Sequence, residues 1–263
     1  GMFGASFATG IGPVISICCL SAHFIKKQNQ FKLIKTRFLL HTVADFCKLG
    51  ISSFVNELST GAVIMIFNFL FLGLGGNTAV AAYGIVANVA LFAVSIFTGI
   101  AQGIQPLVSD YYGKSMTGQL KAVLKDAVVV ALVLTAAIVA FSNLFNDGIV
   151  ALFNKSGDPL LQSIAKEGIT IYFLGFFPGS LNIVLAGYLS AMEKAEKGFI
   201  ISLLRGLVII APSAWLLSRF FGMTGVWTAI PVTETITLLA ALLMLKKTIY
   251  PPLSSSETPQ LPV

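Results

Sequence analysis

Charge is scarce in this chain. Asp, Glu, Lys and Arg together make 11% of its 263 residues, where a soluble domain carries roughly 25%; that is too little to cover a water-facing surface. Histidine occurs twice, at His23 and His41, and no metal-ligand spacing surrounds either. The three cysteines, Cys18, Cys19 and Cys47, are too few for a disulfide framework, and all three read better as buried small hydrophobes. A phosphate loop and a nucleophile elbow are both missing. A conventional enzyme is excluded on these grounds, and no cofactor is expected. The first apolar stretch lacks a basic n-region and is too long for a signal peptide. The basic loops are short and carry no interleaved aromatics, which excludes nucleic acid as a partner.

What is abundant is apolar sequence. Hydrophobic residues make 56% of the chain, and the mean hydropathy is +0.88. A membrane-spanning helix needs about 20 mostly apolar residues. Seven such stretches occur, near Phe3–Ile25, Ile51–Leu74, Ala79–Ile104, Ala122–Phe145, Ile164–Leu189, Phe199–Phe220 and Thr224–Leu245. The expected fold is an all-α, multi-pass membrane bundle of about seven helices. Gly73-Leu74-Gly75-Gly76-Asn77 reads as a tight turn between two of them, and Asn146–Asp158 as a short helix lying at the membrane interface. Residues 26–48 read as a cytoplasmic linker, and 248–263, rich in Pro and Ser, as a disordered tail.

The opening residues resemble the start of the last helix. Gly1-Met2-Phe3-Gly4-Ala5-Ser6-Phe7-Ala8 lines up with Gly222-Met223-Thr224-Gly225-Val226-Trp227-Thr228-Ala229, and six of the 26 positions from Gly1 to Lys26 are identical at an offset of 221. That pattern suits a transporter built from two same-direction repeats. Residues 1–25 would then be the last helix of an N-terminal lobe and 49–247 a six-helix C-terminal lobe. The chain opens on Gly1 and not on Met, so it is expected to be a fragment whose N-terminal lobe is missing. If loops alternate between sides, 14 of the 17 Lys and Arg fall on one side and only Lys155, Lys166 and Arg219 on the other. The bias expects a cytoplasmic C-terminus in a cell inner (plasma) membrane.

Charged groups inside spans are functional candidates by default. Glu57, beside Asn56, begins a face with Gly61, Ile64 and Asn68 at helical spacing; the carboxylate could bind a proton or Na⁺, and its other reading is a headgroup-level residue satisfied by water or Lys48. Glu234 sits among Thr233, Thr235 and Thr237 one turn after Pro231, whose missing N–H frees a carbonyl for those hydroxyls. It reads equally as a cation or substrate group and as a structural partner of Arg205. Arg205 itself reads as snorkelling to the interface. Tyr172, Gly175, Gly179 and Asn182 share a face that Pro178 is expected to kink; its small residues suit close helix packing, and Tyr172 and Asn182 could line a cavity. Gln102, Gln105 and Pro106, followed by Ser109-Asp110-Tyr111-Tyr112, are expected to close a helix as a gate or a rigid corner.

These last residues carry a family resemblance. The run from Gly99 through Gln102-Gly103-Ile104-Gln105-Pro106 to Tyr111-Tyr112-Gly113 resembles the end of the eighth helix of MATE (multidrug and toxic compound extrusion) transporters. Phe54-Val55-Asn56-Glu57-Leu58-Ser59-Thr60-Gly61 is similar to the start of their seventh helix. The nearest subgroup is the bacterial cation-coupled efflux pumps. The resemblance implies twelve helices in two lobes, rocker-switch alternating access, and export of organic cations across the lipid bilayer in exchange for Na⁺ or H⁺. It implies a coupling role for Glu57 with Asn56, and no metal beyond Na⁺. The better-known branch also has an aspartate on its tenth helix, where this chain has Gly179 or a near neighbour. The site would then be incomplete, or would borrow Asn182, Tyr172 or Glu234.

Three alternatives stand beside this reading. A lipid-linked oligosaccharide flippase of the same superfamily would want a cavity rich in Lys and Arg, and only Arg205 is available. A truncated lobe would fold without transporting. A seven-helix receptor fits the helix count but not the start-to-end repeat, and a retinal protein needs a lysine deep in its last helix that 224–245 lacks.

Overall fold

A computed structural model describes residues 2–25 and 40–249. Among them all regular structure is helical: α1 (Met2–Ile25), α2 (Leu40–Gly113), α3 (Thr117–Leu144), α4 (Asn146–Phe153), α5 (Pro159–Leu174), α6 (Phe176–Ala191), α7 (Ala195–Leu203), a π-helical turn (Leu204–Val208) and α8 (Ile210–Ile249). The chain divides into two compact units, Gly1–Cys47 and Lys48–Val263. In the first, α1 turns its hydroxyls back on its own backbone: Ser16 Oγ donates to the Gly12 carbonyl at 3.1 Å and Ser21 Oγ to that of Ile17 at 2.7 Å. Cys18 and Cys19 are free and exposed on this helix, contrary to the expectation that they are buried. An apolar helix in lipid needs no packing partner for such small side chains.

The second unit owes its shape to two glycines. A straight helix as long as α2, with its 74 residues, would run about 110 Å, more than three times the roughly 30 Å hydrocarbon core. It does not run straight, because Gly76 holds φ 63° and ψ −156°, a region open essentially to glycine alone. Phe71 and Tyr83 flank it twelve residues apart, about 18 Å along a continuous helix, yet their rings stack with centroids 5.4 Å apart. The chain therefore doubles back at Gly76, within the turn expected from the sequence. Gly222 (φ 59°, ψ −134°) does the same inside α8. There, a β-carbon on Gly225 would strike the carbonyl oxygen of Leu217, eight residues upstream.

Divided at these glycines, the long apolar helices make four spans, 58–75, 77–113, 196–221 and 223–246, with α3 as a fifth. The pair α5 and α6, bent by 48°, is a sixth. The bend lies at Gly175 and not at Pro178. A proline's missing N–H leaves the carbonyl four residues earlier unpaired, so the helix opens one turn upstream of the ring. Gly175 N–H bonds back to the Tyr172 carbonyl at 3.0 Å, and α6 starts afresh at Phe176. The helix carrying Gln102 and Gln105 also differs from expectation: it passes through Pro106 and ends at Gly113. Pro106 forfeits only the bond to the Gln102 carbonyl, on an exposed flank of the helix. The turn falls at 114–116, where Met116 N–H closes on the Tyr111 carbonyl at 2.9 Å.

The core is aromatic and the surface is apolar. Phe67, Phe71, Tyr83 and Trp227 form one buried cluster, with Phe71 and Trp227 centroids 4.3 Å apart. Outside, Met65, Phe69, Phe92 and Leu144 are each more than 70% exposed. A water-soluble monomer rarely presents such a continuous apolar exterior; lipid is the solvent it suits. A row of glycines then sets how closely α5 and α6 approach the second arm of α8. A β-carbon on Gly168 would lie 2.7 Å from the Trp227 ring, one on Gly175 2.8 Å from Ile230 Cγ2, and one on Gly179 3.3 Å from Glu234 Cδ. The close packing expected of Gly175 and Gly179 is thus what the fold uses them for, and it lays the Glu234 carboxyl against the α6 backbone.

Candidate functional site

Three polar side chains meet in the middle of this apolar unit. Arg205 lies in the π turn, Glu234 in the second arm of α8, and Asn182 in α6. Arg205 Nε and Nη2 both donate to Glu234 Oε1, at 3.0 and 2.6 Å. Asn182 Nδ2 donates to Glu234 Oε2 and to the Glu234 backbone carbonyl, each at 2.8 Å. Glu234 is 7% exposed and Asn182 0%, while the Arg205 side chain keeps 25% exposure. Neither charge could stay in a span alone at modest cost; as a pair with hydrogen bonds on both carboxylate oxygens they can. Arg205 does not snorkel to the interface.

The fold explains why these residues coincide. Gly222 reverses the chain, so Arg205, 17 residues before it, and Glu234, 12 after it, sit on facing arms. Their offset of five residues is about 7.5 Å of helix rise, a distance the long arginine side chain covers. The π turn, in which Ile209 N–H bonds the Leu204 carbonyl at 3.0 Å, inserts the extra residue that aims Arg205 at the partner arm. Such turns are rare and cluster at functional sites. The Arg205–Glu234 pair is one of the two readings that the sequence offered for Glu234; nothing in the sequence marks the π turn.

The hydroxyls around Glu234 behave differently from expectation. Thr235 Oγ1 donates to the carbonyl of Pro231 itself at 2.7 Å, and not to that of Trp227, which the proline frees. Thr233 and Thr237 are buried with no hydrogen-bond partner on their hydroxyls, and Asn182 Oδ1 is likewise unpaired. Tyr172 is half-buried among aromatics, its ring edge-on to Phe176 at 6.0 Å, and Asn68 is half-buried on α2. Asn56 and Glu57 are helical in α2, but their side chains lie outside the described ones. Gln102, Gln105 and Pro106 are exposed and Tyr111 is half-buried near the end of α2. Among the described residues no three His, Cys, Asp or Glu side chains come together as a metal set.

The MatE family model matches residues 52–216 of this chain. The chain belongs to the MatE family. Members are membrane transporters and not enzymes, which sets aside the receptor reading. Among relatives, the multidrug export protein MepA of Staphylococcus saprophyticus is 25% identical over 243 residues, covering 92% of this chain. MepA of Staphylococcus aureus strain NCTC 8325 is 27% identical over 247 residues, again covering 92%. The chain spans 53% of the length of each. Among solved structures, an outward-facing multidrug resistance MATE transporter matches 95% of this chain with a TM-score of 0.84 at 19% identity, over 56% of its own length. A MATE bound to MaL6 gives 0.83 over 94% of this chain, at 19% identity and 56% of its own length. The helical membrane bundle is therefore the family's fold.

Proposed function

We propose that this chain is one bundle of a secondary active exporter that carries organic cations out of the cell in exchange for Na⁺ or H⁺. The observation that carries the reading is the buried Glu234 carboxylate, held in mid-span by Arg205 and Asn182, in a chain whose relatives are named multidrug export proteins. In this reading Glu234 is a coupling acid, with Glu57 and Asn56 contributing from α2, and Asn68, Tyr172 and Asn182 face the path of the substrate. Where the resemblance leads one to expect an acid on α6, Gly179 leaves room and the Glu234 carboxyl lies against it.

Alternating access requires two bundles moving about a shared path. The 53% share of the relatives' length supports residues 49–247 as one lobe, 1–25 as a helix belonging to the other, and 26–48 as their linker. The charge bias supports a plasma-membrane protein with its C-terminus in the cytoplasm. A flippase reading would need Arg205 free to meet a pyrophosphate, and Arg205 is committed to Glu234. The test is ethidium efflux from proteoliposomes holding the transporter that contains this chain, under an imposed Na⁺ or pH gradient. Efflux is expected to follow one gradient and to stop when it is collapsed; efflux under neither would contradict the proposal. The chain on its own is expected not to transport.

A further inference from the structure

We infer that the cavity between the turn at 114–116 and the turn at 192–194 seats the headgroup of a zwitterionic aminophospholipid, its phosphate toward Lys121 and its ammonium toward Glu193. The site is separate from the Arg205–Glu234 pair and does not depend on what the transporter carries.

The cavity lies where α2 and α6 end and α3 begins. It encloses about 620 Å³, the size of an ordinary small-molecule site. Its lining has two characters. Leu120, Tyr188 and Met192 are buried and make an apolar floor, across which Tyr188 Oη donates to the Leu120 carbonyl at 3.2 Å. Ser115, Lys121 and Glu193 are exposed and make a polar rim. A molecule with a charged end and an apolar body matches both.

The depth of the cavity agrees. α3 carries no charge from Ala127 to Leu144, which marks its hydrocarbon segment. Lys121 stands six residues before Ala127, about 9 Å of helix rise, and the headgroup band is about 5–8 Å thick on each side of the hydrocarbon core. A lysine side chain is long enough to bring its ammonium back into that band. Met116, in the turn itself, and Leu107, near the end of α2, are exposed. They give acyl chains an apolar exterior along which to continue from the floor.

Charge selects the headgroup. Lys121 and Glu193 line one cavity, and the ion pairs among the described residues do not join them to each other. Lys114, in the same turn, is held by Asp110 at 2.8 Å. A purely anionic headgroup would meet the Glu193 carboxylate as well as the lysine. A purely cationic one would meet the lysine. A headgroup carrying one phosphate and one ammonium is complementary to both. Ethanolamine brings N–H donors that form charge-assisted bonds to a carboxylate, and choline brings none. Phosphatidylethanolamine is therefore the favoured occupant.

The backbone singles out the same rim. Ser115 and Glu193, at φ 56° and 59°, are the non-glycine residues with positive φ among the described residues, and both line this cavity. Each follows a helix end closed in the same way. Met116 N–H bonds the Tyr111 carbonyl at 2.9 Å, and Lys194 N–H bonds that of Leu189 at 3.0 Å. This is the cap whose left-handed position glycine usually fills. Glycine would relieve the backbone at both places but would take the hydroxyl and the carboxylate off the rim. Strain retained at two positions of one cavity suits a ligand clamp.

The test is native mass spectrometry of the purified, delipidated transporter containing this chain, titrated with dioleoyl phosphatidylethanolamine, phosphatidylcholine and phosphatidylglycerol. The wild type is expected to bind the ethanolamine lipid at least about ten-fold more tightly than the glycerol lipid, the scale of one charge-assisted hydrogen bond, with the choline lipid between them. Glu193→Gln should abolish the preference for ethanolamine over glycerol. Lys121→Gln should weaken the binding of all three. Both residues are exposed, so neither substitution threatens the fold. Equal binding of the three lipids by the wild type, or an unchanged preference in Glu193→Gln, would overturn the inference. So would O-phosphoethanolamine, the soluble headgroup, binding as tightly as the lipid: the cavity would then take a free metabolite and its apolar floor would play no part.

Discussion

Gly76 and Gly222 reverse the chain with nearly the same backbone, φ 63° and ψ −156° against φ 59° and ψ −134°, yet the two hairpins enclose different chemistry. The first closes on rings: Phe67 and Phe71 from one arm meet Tyr83 from the other, with no charge between them. The second closes on an ion pair, Arg205 from one arm and Glu234 from the other. Rings gain from burial in any state of the molecule. A buried ion pair gains little over an apolar pair of similar volume. One hairpin is therefore suited to hold the bundle and the other to work, and Trp227, on the second hairpin and 4.3 Å from Phe71, ties them together.

This contrast can be broken at either end. The largest stability loss is expected for Phe71→Ala, about 3–5 kcal/mol from a fully buried ring, read as a lowered melting temperature in detergent with unchanged ion dependence of transport. Glu234→Ala leaves the Arg205 guanidinium without its partner. Breaking a buried pair costs about 3–5 kcal/mol, and the open side of Arg205 places this variant near the lower figure. Unlike Phe71→Ala, it is expected to lose coupling in molecules that remain folded. Gly168→Val drives a side chain into the Trp227 ring, and overpacking of this kind costs about 1–3 kcal/mol. Gly76→Ala should cost about as much by forcing an L residue into a glycine-only conformation, and both are measurable by the same melts.

The smallest effect lies outside the spans. The Lys166 ammonium, 2.7 Å away, holds the Asp147 carboxyl below the usual carboxylate range; burial opposes this slightly, and Gln162 assists. A depressed carboxyl stabilises above the ordinary Asp pKa, and the contribution is lost as pH falls through its folded value. Because the Asp147 side chain is 72% exposed, solvent screens most of it. Lys166→Met should raise the Asp147 pKa toward its ordinary value in an NMR titration, without a measurable change in melting temperature.

The spans were legible because lipid demands long apolar runs and the chain has little else. The reversal at Gly76 was legible because two adjacent glycines and an asparagine interrupt such a run. Bends were less so. Pro178 displaced its break to Gly175 and Pro106 produced none, although both freed carbonyls, of Leu174 and Gln102, belong to exposed residues. The residues of the site were legible one at a time as polar groups in apolar helices. The pairing of Arg205 with Glu234, 29 positions apart, was one of two readings; the hydrogen bonds of Asn182 to Glu234 and the π turn were not legible, because no local pattern announces either.

The most direct test is ethidium efflux per folded molecule in the transporter containing this chain, compared between wild type and Glu234→Gln under the gradient that drives the wild type. The substitution keeps the shape of the side chain and removes its charge. The account predicts a loss of gradient-driven efflux of at least about ten-fold, the scale of one transition-state contact worth about 1.4 kcal/mol, from molecules that remain folded but melt below the wild type because Arg205 has lost its counter-charge. Wild-type efflux from a well-folded Glu234→Gln protein would contradict it and leave the ion pair as part of the scaffold.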